Sequence, residues 1–224
     1  MFNSCFFLEL EIPSLSPPGC GPAFKYLVEE HEEMETISIG LCGVRSREDE
    51  EDIVLTVFSN INLRSVTIRN MLNTGDIIGR LPSAFPNLEM LVLTRWESLS
   101  DQGLIEILKR SRSNLRELDL SNSNITGVGV EEEVNSLPNL ETLKLSECWN
   151  LTDGGLKEIL RISGVKLRVL DVSFTNITRQ RFKNGVSLPM LEKLYLVGCG
   201  KLSISGLRKI LSISGSRLKR GFIL

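Results

Sequence analysis

The feature that most constrains the fold of this chain is a short leucine motif that returns at nearly constant spacing. The pattern L-x-x-L-x-L, with valine at the last position of one copy, starts at five positions that are 27, 25, 27 and 24 residues apart. Self-similarity at a period of about 20–50 residues is the signature of a repeat array. The chain is therefore predicted to build one structural unit several times. The five starts are Leu88, Leu115, Leu140, Leu167 and Leu191.

Further copies extend the array toward both ends of the sequence. "LRSVTI" starts at Leu63, "METISIG" starts at Met34, and "CFFLELEIP" from Cys5 contains a less regular copy. We count eight units and the beginning of a ninth, all in a single domain that spans 1–224. The predicted divisions are an irregular first unit or cap over 1–33, regular repeats over 34–217 and an incomplete last repeat over 218–224.

The last copy, "RLKRGFIL", begins a strand at Leu218 but is followed by no helix in the sequence. Solenoids need polar caps at their ends. We therefore expect that the domain was cut from a longer chain and has further domains beside it. The alternative is that Arg217, Lys219 and Arg220 protect the edge of the last strand.

A second rhythm doubles the period of the array. The segments "PNLEMLVL", "PNLETLKL" and "PMLEKLYL" start at Pro86, Pro138 and Pro189, which are 52 and 51 residues apart. Alternate units therefore match each other better than neighbouring units do. This alternation indicates that a pair of units was duplicated.

Each unit combines one strand and one helix, and both have a single apolar side. In L-x-x-L-x-L the alternating leucines point to one face of a short strand and the intervening residues to the other. In "DQGLIEILKRS", Leu104, Ile107 and Leu108 share one helical face. A unit of about 25 residues cannot hold a dry core alone, so it must stack on its neighbours. The predicted fold is an α/β solenoid, a curved arc with a parallel sheet on its concave face and helices on its convex face.

Composition excludes several classes of protein. A net charge of -2 and a pI near 5.7 provide no basic field for nucleic acid. No apolar run approaches the roughly 18 residues of a membrane span, and the N-terminus lacks the basic region of a signal peptide. Five widely spaced cysteines with no C-x-x-C pair fit reduced, buried thiols and no metal site. We expect a cytoplasmic protein, with the nucleus as the alternative, that needs no cofactor.

The segment "LKLSECWNLTDGGLKEIL" resembles the cysteine-containing subtype of the leucine-rich repeats, and the resemblance covers about residues 34–218. That subtype is typical of F-box adaptors of ubiquitin ligases, although no F-box precedes the repeats here. The alternation of unit types, with "NITGVGV" in one kind, is also similar to the repeat domains of NLR-type immune receptors. Leucine-rich repeats usually bind proteins, so the resemblance implies a protein partner.

The stretch "ECWNLTDGGLKEIL" contains residue types found in catalytic sites, but comparison with the other units favours structural roles for them. Cys148 aligns with Trp96 and Cys199, which predicts a buried structural thiol rather than a nucleophile. The only histidine, His31, lies several units away and is predicted on a solvated helix surface, so no activating base accompanies Cys148. Gly155 recurs in equivalent units and indicates a backbone requirement, and Asp153 is predicted to cap a helix together with Thr152.

Trp149 differs from its neighbours in this stretch because its equivalents, Glu97 and Gly200, show that the fold does not need it. Similar reasoning identifies Phe174, which stands where Asn122 stands, and Tyr195, which stands where Lys144 and Val92 stand. Aromatic and arginine side chains among mixed charges are typical of protein-binding surfaces. The predicted partner-binding residues on the concave face and its adjacent loop are Met90, Val92, Arg95, Asp119, Lys144, Trp149, Asp171, Phe174 and Tyr195.

Two further motifs have structural interpretations. The acidic run "SREDEED" from Ser46 is predicted to open a helix that ends near Ile61, because acidic side chains favour a helix N-terminus. The sequons at Asn124, Asn150 and Asn176 are predicted to occupy the same point of their units and to reflect the repeat rather than glycosylation.

The sequence therefore predicts a non-enzymatic protein-recognition module, which we interpret as the ligand-sensing domain of a larger intracellular receptor of the innate-immune type. Substrate recognition in an F-box-type ubiquitin ligase adaptor is one alternative, and stoichiometric inhibition of an enzyme is another. An enzyme with Cys148 as nucleophile is the remaining hypothesis, and it requires a reactive thiol at neutral pH.

Overall fold

The computed structural model describes residues 9–14, 20–42, 44, 46–71, 77–81, 84–111, 114–178 and 186–222. Cys5 and residues 15–19 lie outside this set, so the predicted irregular first unit is described only in part. Within these residues, nine strands form one parallel sheet in which spatial order follows chain order. The strands are β1 (Glu9–Ile12), β2 (Thr36–Gly40), β3 (Ser65–Arg69), β4 (Met90–Thr94), β5 (Glu117–Asp119), β6 (Thr142–Lys144), β7 (Val169–Asp171), β8 (Lys193–Tyr195) and β9 (Arg220–Phe222).

The leucines of the motif align from strand to strand in the observed register. Leu91 pairs with Leu118, which pairs with Leu143, and the row continues through Leu170 to Leu194. All five side chains are at most 1% exposed. Fully burying a leucine stabilises a fold by about 1.5–3 kcal/mol. Leucine packed on leucine across neighbouring units therefore forms one continuous core, as the repeat spacing predicts.

Helices cover one side of the sheet and leave the other side open. Their buried positions match the predicted stripe, since Leu104, Ile107 and Leu108 are buried in one helix and Leu156, Ile159 and Leu160 in another. The helices are α1 (Cys20–Glu29), α2 (Arg47–Ser59), α3 (Asp101–Ser111), α4 (Val130–Glu133), α5 (Asp153–Ser163) and α6 (Ile204–Ile213).

The acidic run forms the first turn of α2, as predicted. The Ser46 side chain caps the helix by accepting a hydrogen bond from the Asp49 N–H at 3.4 Å. Glu48, Asp49 and Glu50 occupy the first turn, where they interact favourably with the helix dipole. The helix ends at Ser59, two residues before the predicted end, because the Asn60 N–H bonds to Val57 O and turns the chain toward β3.

The turn before α5 contains the predicted cap and a contact to the next unit that was not predicted. Thr152 is the N-cap and accepts from the Gly155 N–H at 2.9 Å. Asp153, however, accepts hydrogen bonds from the Thr178 N–H and hydroxyl at 2.8 and 2.5 Å, so it links its unit to the next one. Asp101 contacts Thr126 in the same way. Asp153 is thus the first residue of the helix beside the Thr152 N-cap, and its carboxylate also joins this unit to the following one.

Gly155 is required because two backbones approach closely. A Cβ at this position would lie 2.0 Å from Thr126 O and 2.7 Å from Gly127 Cα. A Cβ at the adjacent Gly154 would meet only the Thr152 hydroxyl oxygen, at 3.8 Å. Only the second glycine of the pair is therefore needed for α5 to pack against the preceding unit.

Three other predictions need correction. Cys42 is exposed rather than buried because its sulfur lies at the surface beside Asn70, whose Nδ2 donates to Cys42 Sγ at 2.8 Å, although Cys148 and Cys199 are buried as expected. His31 lies in the turn between α1 and β2 rather than on a helix surface, because α1 has already ended at Glu29. Among the sequons, Asn150 falls one residue later in its unit than Asn124 does, so the predicted equivalence fails there.

A ladder of alternating charges runs along the edge where the strands begin. Every second unit carries glutamate and the units between carry arginine at the position after the first leucine of the motif. Each arginine lies between two glutamates, as in Arg116, whose guanidinium is 3.4 Å from Glu89 and 2.9 Å from Glu141. We call this row the charge ladder; it comprises Glu35, Arg64, Glu89, Arg116, Glu141, Arg168 and Glu192.

The charge ladder gives a physical meaning to the two-unit rhythm of the sequence. Unlike charges face each other only when neighbouring units are of different kinds, and like charges in adjacent units repel. Hydrogen bonding to Glu192 raises the pKa of Arg168, and the same bond lowers the pKa of Glu192. The alternation of unit types therefore places an attractive charge pair at each of these contacts between neighbouring units.

Candidate functional site

The open face of the sheet carries the residues between the buried leucines. The central row runs in register from Val92 through Asp119, Lys144 and Asp171 to Tyr195. Met90 lies in the neighbouring row, opposite Glu117 of β5. The structure therefore brings six of the nine predicted binding residues together on one surface, which we call the strand face. These six are Met90, Val92, Asp119, Lys144, Asp171 and Tyr195.

Charges in the middle of the strand face are paired with each other. Lys144 Nζ is 2.7 Å from Glu117 Oε1 and 3.7 Å from Asp119 Oδ2. Burial opposes the charge on Lys144, but its hydrogen bond to Glu117 and the attraction of Glu117, Asp119 and Asp171 outweigh burial and raise its pKa. Asp119 also accepts hydrogen bonds from the N–H and hydroxyl of Ser121. These groups thus hold one another in place before any partner arrives.

The edge where the strands end has an unusual backbone. One residue in each of six consecutive units adopts the left-handed conformation, with φ between 54° and 67°, and five of these residues are not glycine. Such a residue costs roughly 1–2 kcal/mol, least for asparagine and nothing for glycine. We call this row the ridge; it comprises Asn70, Arg95, Asn122, Glu147, Phe174 and Gly198.

Hydrogen bonds between units fix the ridge conformation. The Phe174 N–H donates to Val197 O at 2.7 Å, and the Glu147 N–H donates to Ser173 O at 2.9 Å. The backbone therefore imposes the conformation whatever the side chain. Asparagine or glycine would serve this role with less strain, so the backbone conformation does not account for arginine, glutamate and phenylalanine at the ridge.

Phe174 is the most informative residue of the ridge. Its side chain is 43% exposed and its backbone φ is 54°. The ring lies over the neighbouring unit, because a Cβ added to Gly198 would be 2.3 Å from Phe174 Cδ1. Gly198 thus supplies both the positive φ and the space that the ring occupies. Residues held in a strained backbone conformation cluster at functional sites, and Phe174 combines such a conformation with a partly exposed aromatic ring.

Trp149 and Arg95 lie beside the strand face rather than on it. Trp149 follows β6 in the loop just past the ridge and is 54% exposed, as its equivalents predict. Its carbonyl accepts a hydrogen bond from Asn176 Nδ2 at 2.7 Å, which anchors the loop. Arg95 is an exposed ridge residue whose guanidinium bonds to Asn70 Oδ1 at 3.4 Å. The predicted site is therefore a strand face with an adjoining edge.

Cys148 lies directly beneath this edge and belongs to the core. It is fully buried, and its thiol donates to Leu120 O at 3.3 Å. Burial raises the pKa of Cys148 to about 11. At neutral pH the thiolate is therefore scarce, and the hypothesis of a Cys148 nucleophile lacks the activated thiol that it requires. Within the described part of the chain, no group of three or more potential ligands could hold a metal ion.

The comparison with protein-family profiles supports the same fold class. The profile of the Leucine Rich repeat family matches residues 112–132 and 136–160. The matching solved structures include a chain of the Rad7 and Elc1 complex in yeast, with a TM-score of 0.48 and 13% identity over 90% of this chain and 67% of that one. No curated protein matches the chain. With the sheet and repeats described above, the fold is a leucine-rich repeat solenoid.

Sequence reasoning predicted Arg95 and Phe174 but did not recognise the ridge as one row, and it did not include Glu97 among the binding residues. The signal was available, because Arg95, Glu147 and Phe174 occupy equivalent positions where other units carry asparagine or glycine. This shared position, once per unit, groups Glu147 with the two residues that were predicted singly. None of the described helices has the length and hydrophobicity of a membrane span.

Proposed function

We propose that this chain is a protein-recognition module that binds its partner through the strand face and the adjoining ridge. Phe174 and Tyr195 are the principal contacts in this proposal. Aromatic side chains provide most of the binding energy in many interfaces because they bury large areas at low entropic cost. The observation that carries the proposal is the strained, exposed Phe174 seated over Gly198, since the fold itself does not require it.

The position of Tyr195 supports the same surface. It lies on β8, in register with Asp171 of β7, and Phe174 follows that aspartate by three residues. Both aromatic residues therefore belong to adjacent units near the ends of their strands. The paired charges around Lys144 border them and provide the polar surroundings typical of an interface.

The module serves, in this proposal, as the recognition part of a larger protein, the ligand-sensing domain of an intracellular receptor. The alternatives are substrate recognition in an F-box-type ubiquitin ligase adaptor and stoichiometric inhibition of an enzyme. The reading frame that surrounds this segment separates them. A nucleotide-binding module upstream supports the receptor, an F-box supports the adaptor, and an inhibitor needs no further domain.

The test uses a double substitution, Phe174→Ala with Tyr195→Ala, in the full chain. The matched control is Tyr26→Ala with Val165→Ala, because these side chains are 67% and 70% exposed and lie outside the strand face and ridge. Partners are captured from cell extract on immobilised wild type and both variants and quantified by mass spectrometry. We expect proteins that the wild type and the control retain but that the double variant loses by at least tenfold.

Thermal unfolding of the same three proteins completes the experiment. All three should melt within about 4 °C of one another, because Phe174 is exposed and Tyr195 is only half-buried, so neither truncation opens the core. Equal capture by all three proteins would contradict the proposed surface. Unfolding of the double variant alone would show that Phe174 and Tyr195 belong to the core.

A further inference from the structure

We infer that a cleft beside the ridge receives an arginine side chain of the protein partner. This inference rests on the proposed function and names the chemistry of one contact. The cleft has a volume of about 300 Å³ and lies just past the ends of β4, β5 and β6. It spans three consecutive units, and its lining residues are Glu97, Asn122, Ser123, Asn124, Glu147 and Trp149.

The cleft carries two carboxylates without a cation. Within the described residues, Glu97 and Glu147 form no ion pair, and Glu147 accepts a hydrogen bond from Asn122 Nδ2 at 3.3 Å. The neighbouring Arg95 turns its guanidinium toward Asn70 of the preceding unit. The contrast with the charge ladder is direct, because each arginine there bridges two glutamates. The cleft therefore presents uncompensated negative charge to a ligand.

Trp149 provides a second and independent feature of the same cleft. Its ring is 54% exposed, and its backbone is anchored by Asn176. A cation over the face of an indole is attracted by the negative charge on the face of the ring. Carboxylates beside an exposed indole therefore favour a cationic group over a neutral or anionic one.

Ser123 adds an unsatisfied polar group at the buried side of the cleft. It is only 4% exposed, and its hydroxyl oxygen has no hydrogen-bond partner among the described residues. A buried polar group without a hydrogen-bond partner has lost its contact with water and destabilises the fold. A donor that enters the cleft and reaches this hydroxyl would recover part of that free energy.

Arginine fits these features better than lysine or a metal ion. A guanidinium is planar and can stack on the Trp149 ring while its N–H groups bond to a carboxylate, whereas an ammonium is a compact and strongly hydrated charge. The cleft offers two carboxylates, and no cluster of three potential metal ligands occurs among the described residues. The occupant is therefore an arginine on the surface of the partner.

The experiment titrates the chain with a short glycine–serine peptide that contains one arginine, and in parallel with the same peptide containing citrulline. Citrulline keeps the planar shape and loses the charge. The readout is the indole N–H resonances in ¹⁵N spectra, because the chain has two tryptophans and the buried Trp96 serves as an internal control. We expect a saturable shift of the Trp149 signal alone, with at least tenfold weaker binding of the citrulline peptide.

Variants of the cleft complete the test. Combining Glu97→Gln with Glu147→Gln should weaken arginine binding at least tenfold, and Ser123→Ala should weaken it less while leaving the melting temperature unchanged or higher. Equal responses to the two peptides, no saturable Trp149 shift, or wild-type affinity in the glutamine variant would overturn the inference. Partner capture that still depends on Phe174 and Tyr195 would then leave the proposed function standing.

Discussion

The two edges of the sheet have opposite characters. At the edge where strands begin, the charge ladder repeats one pattern across seven units, and each arginine lies between two glutamates. At the edge where strands end, the ridge changes residue from unit to unit and exposes Phe174, with Trp149 just beyond it. At the first edge the charged side chains pair with one another. At the second edge aromatic rings and carboxylates remain accessible to a partner.

This difference separates residues that the repeat requires for packing from residues that are available to a partner. The ladder can be explained by packing between neighbouring units alone. The ridge cannot, since its backbone would accept asparagine or glycine throughout. In a repeat protein, departure from the internal consensus at an exposed position is thus a better guide to function than residue type.

The two tryptophans give the largest expected contrast. Trp96 is 1% exposed and its indole N–H bonds to the Ser98 hydroxyl at 3.0 Å, whereas Trp149 lies one position later in its own unit and is 54% exposed. Trp96→Ala should lower the free energy of unfolding by about 3–5 kcal/mol. Trp149→Ala should change it by less than about 0.5 kcal/mol. Urea unfolding of both variants measures the difference, and similar losses would refute the division between inner and outer positions.

The adjacent glycines of α5 provide the next contrast. Gly155→Ala should cost about 3 kcal/mol, because its Cβ would overlap the Thr126 carbonyl of the preceding unit. Gly154→Ala should be neutral or stabilise the chain by up to about 1 kcal/mol, since alanine is the better helix former and has space. Thermal unfolding of the two variants checks this pair. A destabilised Gly154→Ala variant would mean that both glycines serve the fold.

The charge ladder gives the smallest effect and the sharpest test of the strand-start edge. Arg116→Glu would place an acidic side chain between Glu89 and Glu141, so we expect the melting temperature to fall by about 2–4 °C at low salt. Because these pairs are exposed, about 1 M salt should remove most of the difference. Arg116→Gln is the control and should show roughly half the effect. Partner capture should not change. A loss of capture would show that the partner binds at the edge where the strands begin, which contradicts the proposed surface.

Much of the fold could be predicted because the signals lie within one unit. The inward leucines, the helix stripe of α5 and the burial of Cys148 all follow from periodicity and internal alignment. Contacts between units were harder to predict. Asp153 and Thr178, for example, are 25 residues apart in the chain, and no local sequence pattern indicates that they bond to each other. The exposure of Cys42 was missed for a similar reason, because its sulfur contacts Asn70 of the next unit, 28 residues away.

The binding residues were predicted as a set of departures from the repeat, and their grouping required coordinates. Tyr195 and Asp171 come together through strand register, which the motif already specifies. The seat of Phe174 over Gly198 depends on a positive φ in two units and on the direction of one ring. The cleft beside Trp149 likewise draws on three units, so no single segment of sequence contains it.

The most direct test of the proposed binding surface is side-chain footprinting of the chain with and without its captured partner. Hydroxyl radicals modify exposed aromatic side chains, and mass spectrometry locates each modification. We predict strong protection of Phe174, Tyr195 and Trp149 in the complex, with Tyr26 on α1 modified equally in both states. Protection of Tyr26 and the helices, with Phe174, Tyr195 and Trp149 unchanged, would contradict the account.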